Sequence, residues 1–136
     1  MRVVLDTNII LSALLNSEGV PGHVLGIWLR KGFVLVTHAL QLEEIRTVTR
    51  RPRFRGRFRP AEAGRLINLL NNAEFVHRLP RIQRSTDPAD DFLLAICEAG
   101  NADYLVTGDK PGLLALARHG RADIVTARQI LDVIRG

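Results

Sequence analysis

Arg2-Val3-Val4-Leu5-Asp6-Thr7-Asn8 decides the fold: an apolar run passes directly into an acid followed by two more helix-starting residues. The run reads as a short buried strand, and Asp6 stands where that strand meets a helix over Ile9–Leu15. A carboxylate there is costly unless something positive neutralises it. The economical neutraliser is a divalent metal.

The same alternation continues outward. A helix from Gly22 to Leu29, entered through Pro21 and stopped by Gly32, precedes a second strand over Phe33–Thr37. A helix over Ala39–Thr49 ends before Pro52, and Pro60 suits the first turn of a helix carrying Leu66, Ile67, Leu69 and Leu70. Glu74–His77 reads as a third strand and Arg78–Thr86 as a polar linker. Asp87-Pro88 opens a helix through Glu98, Gly100 ends it, and Tyr104–Thr107 is a strongly apolar fourth strand. Pro111–Arg118 is expected to be helical, Ile124–Thr126 a short edge strand and Arg128–Ile134 the closing helix. This order predicts a three-layer α/β/α sandwich on a mainly parallel four- to five-stranded sheet, as one domain over residues 1–136. Such sheets gather ligands beyond the carboxyl ends of their strands, which places Asp6 and Asp109 on one rim.

Composition narrows the classes. With 136 residues and 46% apolar content the chain can bury a proper core. Its single cysteine, Cys97, leaves no intramolecular disulfide or cysteine-built zinc site, which fits a reducing compartment and a cytoplasmic protein. The apolar N-terminal stretch is interrupted by Asp6, Asn8 and Ser12 and is too short to cross a bilayer, so no membrane role is expected. Arg50, Arg51, Arg53, Arg55, Arg57 and Arg59 fall within an acid-free stretch and account for more than the whole net charge of +5. A patch so local suggests contact with a polyanion such as RNA, although a solvated loop carries the same signature. Phe54 and Phe58, between the arginines, are core candidates that would also serve as base-stacking groups.

Each acid has a plain reading beside the functional one. Asp6, Thr7 and Asn8 are all N-cap residues, yet one helix needs only one of them. On the third helix Leu40, Gln41, Glu44, Ile45 and Val48 share a stripe while Glu43 groups with Ala39, Arg46 and Thr47, so Glu44 is the acid that interrupts a core-facing row. In Asp87-Pro88-Ala89-Asp90-Asp91, Asp87 suits the N-cap. Asp90 precedes Leu93, Leu94 and Cys97 on the apolar stripe and is the inward acid, whereas Asp91 leads toward Ala95 and Glu98. Asp109 follows Thr107-Gly108 and precedes Lys110-Pro111, as either a turn residue or a ligand. The four histidines show no metal-ligand spacing.

With these residues in hand, the chain resembles the PIN domain ribonucleases, and among them the toxins of VapBC-like toxin–antitoxin pairs. The resemblance runs over nearly the whole length. It is carried by Val4-Leu5-Asp6-Thr7-Asn8, Glu43-Glu44 on the helix after the second strand, Asp87-Pro88-Ala89-Asp90-Asp91, and Asp103-Tyr104-Leu105-Val106-Thr107-Gly108-Asp109. Arg51-Pro52-Arg53-Phe54 adds to it, and Thr37 stands where relatives often carry serine. The resemblance implies metal-dependent hydrolysis of RNA phosphodiester bonds, leaving a 5′-phosphate and a 3′-hydroxyl. Asp6 and Asp90 would be the leading ligands of Mg²⁺ or Mn²⁺, while Asp109 and Glu44 would complete the acidic cluster or hold the ion's waters, with Asn8, Thr37, Asp91 and Thr107 in support. It also implies a cognate antitoxin that covers the acidic pocket, and a homodimer. Two other classes compete: a non-catalytic RNA-binding module using only the arginines, and a Mg-dependent receiver or phosphatase-like domain. The second needs paired acids or an Asp-x-Asp start, which Asp6-Thr7-Asn8 does not supply.

Overall fold

A computed structural model describes residues 1–54, 56–58, 60–108 and 111–136, excluding the side chains of Arg53 and Pro60. Asp109, Arg55 and Arg59 therefore lie outside the described residues. The chain runs β1 (Arg2–Leu5), α1 (Thr7–Leu15), α2 (Val20–Leu29), β2 (Val34–Thr37), α3 (Ala39–Thr49), a 3-10 turn over Pro52–Phe54, α4 (Pro60–Leu70) and β3 (Glu74–Phe75). It continues through α5 (Pro88–Ala99), β4 (Tyr104–Thr107), α6 (Pro111–Leu116), β5 (Arg118–His119), β6 (Ala122–Thr126) and α7 (Ala127–Arg135).

The strands form one sheet in the order β3-β2-β1-β4-β6-β5, parallel except for the last pair. The three-layer α/β/α architecture matches the sequence expectation, with six described strands where four to five were expected. The addition is β5, which takes the edge expected for Ile124–Thr126 and makes a hairpin with the longer β6: α6 stops at Leu116, Ala117 adopts φ 60°, and Gly120 at φ 58° turns His119 back to pair with Ala122. Arg118 is therefore a strand residue and not the end of a helix. A positive φ is steeply unfavourable within a right-handed helix, which explains the early stop.

Side-chain alternation along the strands builds a core on each face. Val3, Leu5, Leu35 and Val106 pack with apolar residues of α1 to α4 and α7, including Ile10, Val24, Ile45, Leu66 and Ile130. Val4, Val36, Leu105 and Ile124 pack on the other face with Leu93, Leu94 and Cys97 of α5 and Leu113 of α6. Trp28 and Phe58 are buried in the first core, so Phe58 is a packing residue and not a free stacking surface. At Gly100 a Cβ would lie 2.5 Å from Cγ1 of Val36, so glycine lets the end of α5 settle onto β2.

Candidate active site

The chain leaves β1 toward β2 and β3, then returns through α5 to β4 on the other side of β1. The carboxyl ends of β1 and β4 thus flank the point where strand order reverses, the usual ligand crevice of an open parallel sheet. Asp6 lies directly after β1 at this point and is 2% exposed. Its Oδ1 accepts from the backbone N–H of Asn8 at 3.2 Å, capping α1, while its Oδ2 accepts from the hydroxyl of the fully buried Thr107 at 2.8 Å. The backbone N–H of Asp6 donates to the Val106 carbonyl at 2.8 Å, which extends the β1–β4 pairing to the rim. Asp6 is therefore both the helix cap of its plain reading and a carboxylate held by a second strand.

Asp90 occupies the first turn of α5. Because α5 leads into β4, its N-terminus starts from the same rim, and the ring of His38, just beyond β2, meets the Phe92 ring edge-on at 5.9 Å. Asp90 is 6% exposed, and its Oδ2 accepts from the Ser85 hydroxyl at 3.3 Å. Asp91 is less buried and serves the preceding loop: its Oδ1 accepts from the backbone N–H groups of Arg84 and Ser85 at 3.1 and 2.8 Å. Asp87 caps α5 by accepting from Ala89 N–H at 2.9 Å, with Pro88 in the first helical position. The inward and outward roles of Asp90 and Asp91 follow the helical stripe.

Thr37 is buried at the end of β2. Its hydroxyl donates to Oε1 of Gln41 at 2.5 Å, and Gln41, 1% exposed, donates through Nε2 to the Leu5 carbonyl at 2.7 Å and the Thr7 hydroxyl at 3.4 Å. This buried polar bridge ties α3 and β2 to the residue just before Asp6. The sequence places Gln41 in the core-facing stripe, but nothing local signals this bridge or the part of the Thr7 hydroxyl in it. Ser85 does carry a local signal, since it sits two residues before Asp87 and its Oγ accepts from Asp87 N–H at 3.2 Å.

The stripe on α3 needs correction. Gln41, Leu42, Ile45 and Val48 are buried, whereas Leu40 is 57% exposed and Glu44 is exposed. Packing of α3 against both α1 and α4 rotates its buried face toward Leu42. By helical geometry Glu43 points opposite that face and Glu44 flanks it on the Gln41 side. Among the described residues, no three His, Cys, Asp or Glu side chains group closely enough to hold a metal ion, so Asp6, Glu44 and Asp90 alone are not a three-ligand site. Asn8 is exposed and contributes its backbone N–H to Asp6. Arg50, Arg51 and Arg57 are exposed.

Buried carboxylates set among hydroxyls are hard oxygen donors, the set that Mg²⁺ or Mn²⁺ takes. Both acids also sit at helix N-termini, where the backbone dipole favours negative charge. An open, mainly parallel sheet with buried acids at its switch point is an arrangement shared by several α/β classes that use a divalent ion. A family model described as PIN domain matches residues 2–111, and the chain belongs to that family. PIN domains are generally metal-dependent nucleases that bind divalent ions. No curated protein and no solved structure matches the chain. Among the described residues no helix is long and apolar enough to cross a membrane.

Proposed function

We propose that the chain is a Mg²⁺- or Mn²⁺-dependent endoribonuclease that hydrolyses RNA phosphodiester bonds, and that it acts as the toxin of a type II toxin–antitoxin pair. The observation that carries the nuclease reading is the burial of two carboxylates, Asp6 and Asp90, at the helix starts on the rim where strand order reverses, since they are hard oxygen donors of the kind a divalent ion takes. Family membership over residues 2–111 supports the same reading.

In this proposal Asp6 and Asp90 hold the cation, and Asp109 and Glu44 complete the acidic set. When bound, a divalent ion neutralises the acids, polarises a phosphate oxygen and favours the attacking form of water. The chain's own residues prepare that site. Thr107 and the Asn8 N–H fix the two oxygens of Asp6, and Ser85 orients Asp90. Gln41 anchors the Leu5 carbonyl, so the backbone entering Asp6 keeps its direction. The arginine segment supplies sequence-independent affinity for RNA phosphates. An antitoxin covering the acids, a homodimer and a cytoplasmic location belong to the same proposal.

Purified protein incubated with RNA and Mn²⁺ or Mg²⁺, with EDTA and Asp6→Asn as controls, tests the reading. Cleavage that stops in both controls, leaving 5′-phosphate and 3′-hydroxyl ends, is expected. Cleavage that persists in both would overturn it, and binding without cleavage would leave an RNA-binding module.

A further inference from the structure

A second cluster of polar side chains joins the β5–β6 hairpin to the segment that precedes α5. β5 is the edge strand of the sheet, and an edge leaves backbone groups for a partner from outside. Arg84, in the linker, supplies one: its Nη1 donates to the Arg118 carbonyl at 2.6 Å and to Nδ1 of His119 at 3.1 Å. A guanidinium only donates, so Nδ1 is the accepting nitrogen and Nε2 carries the hydrogen, which it gives to Oε2 of Glu98 at 2.9 Å. The His119 side chain is largely buried. Arg84 is also held at its backbone. The N–H groups of Arg84 and Ser85 converge on Oδ1 of Asp91, and the Ser85 hydroxyl accepts from Asp87 N–H while donating to Oδ2 of Asp90. Hydrogen bonds and one peptide link therefore lead from Glu98, near the end of α5, through His119 and Arg84 to Asp90 in its first turn.

We propose that Arg84 is a positioning residue, whose clasp on the hairpin holds the Ser85 hydroxyl on Asp90. It rests on the reading of Asp90 as a metal ligand, and gives that ligand a support anchored away from the rim. Residues 76–87 form no helix or strand, so their shape depends on the side chains that tie them down. Val76, Leu79 and Ile82 pack on the core beneath α5, and that apolar contact ends before Ser85. Past Ile82, two adjacent N–H groups meet a single oxygen of Asp91, which acts as a pivot and leaves the segment free to turn. A second anchor on the hairpin, supplied by the Arg84 guanidinium, fixes the direction in which the Ser85 hydroxyl points. The hairpin thereby has a task besides closing the sheet edge.

Amide exchange followed by NMR tests the clasp with neither metal nor RNA present. Arg84→Met removes the guanidinium and keeps the apolar stem, and should speed exchange at the Ser85 N–H about fivefold or more while leaving the Asp6 N–H unchanged. Mn²⁺ affinity, measured by calorimetry, should fall about threefold or more. The urea midpoint should move little, since Arg84 is exposed. His119 separates the two sides of its ring. In His119→Asn the amide oxygen takes the place of Nδ1 and still accepts from Arg84, whereas in His119→Gln the amide nitrogen takes the place of Nε2 and keeps only Glu98. Asparagine should preserve both readouts and glutamine should shift them toward those of Arg84→Met, a split that lost packing alone does not produce. Exchange at Ser85 as slow in Arg84→Met as in the wild type would overturn the clasp, as would asparagine and glutamine variants that behave alike. Faster exchange with undiminished Mn²⁺ affinity would overturn the positioning role. A wild-type chain that takes up no Mn²⁺ would defeat the metal reading and with it the ligand role of Asp90, while the clasp stands or falls by exchange alone.

Discussion

The hydroxyl of Thr107 donates to Oδ2 of Asp6 at 2.8 Å, joining residues separated by 101 positions at the carboxyl ends of neighbouring strands. Both groups are buried, so the bond is shielded from water and counts for more than it would at the surface. Thr107→Val keeps the shape and removes the donor. It should destabilise the fold by about 1–3 kcal/mol and lower RNA cleavage, while Thr107→Ser restores both. Urea unfolding and initial cleavage rates check this. A valine variant as stable and active as the wild type would show that the bond neither supports the fold nor positions Asp6.

Gln41 should matter although it is not an acid. Gln41→Leu leaves the Thr37 hydroxyl and the Leu5 carbonyl without their partner in the core. The expected loss is about 2 kcal/mol, measured by denaturant titration. Cleavage should fall less than in Asp6→Asn, because Gln41 acts through the backbone that precedes Asp6.

At the opposite end of the sheet, the backbone N–H of Arg2 donates to Asp103 Oδ2 at 2.8 Å and Arg121 donates to Oδ1 at 3.0 Å. The Arg2 N–H, and secondarily the Arg121 charge, hold the Asp103 carboxyl below its ordinary range. A depressed folded pKa means that the contribution to stability is complete above the unfolded value and is lost as pH falls through the folded one. Asp103→Asn should therefore flatten the acid side of the stability profile. Solvent access limits the effect to about 1 kcal/mol at neutral pH. Unfolding midpoints measured from neutral to acidic pH decide the point, and an unchanged acid limb would contradict it.

Burial pushes the Cys97 thiol up to about 12, and the side chain is 2% exposed within the core formed by α5 and the sheet. The neutral thiol is a poor nucleophile. Iodoacetamide should leave the native chain unmodified at neutral pH and react only as the protein unfolds, as mass spectrometry would show. Rapid labelling under native conditions would mean that α5 opens readily from the sheet.

The fold was legible wherever apolar runs met strong punctuation. Tyr104–Thr107 and Ala39–Thr49 have their expected bounds because Gly100 and Gly108 flank the strand and Pro52 follows the helix. The hairpin was not legible: Arg118–His119 is short and polar, and only its pairing with β6 makes it a strand. The burial of Asp90 beside an outward Asp91 followed from periodicity along one helix. The exposure of Leu40 did not, since the buried face of α3 is chosen by contacts with α1 and α4. The bridging of Thr7 by Gln41 and the bond from Ser85 to Asp90 were not legible, because these are side-chain hydrogen bonds that hydrophobic periodicity does not specify.

The central claim is that Asp6 and Asp90 share one divalent cation. Calorimetric titration of Mn²⁺ into the wild-type chain, Asp6→Asn, Asp90→Asn and the double variant tests it most directly. The account predicts a saturable site weakened at least about tenfold by either change, with the double variant little worse than each single one, as expected for two ligands of one ion. Undiminished Mn²⁺ affinity in both single variants, or costs that simply add, would contradict it.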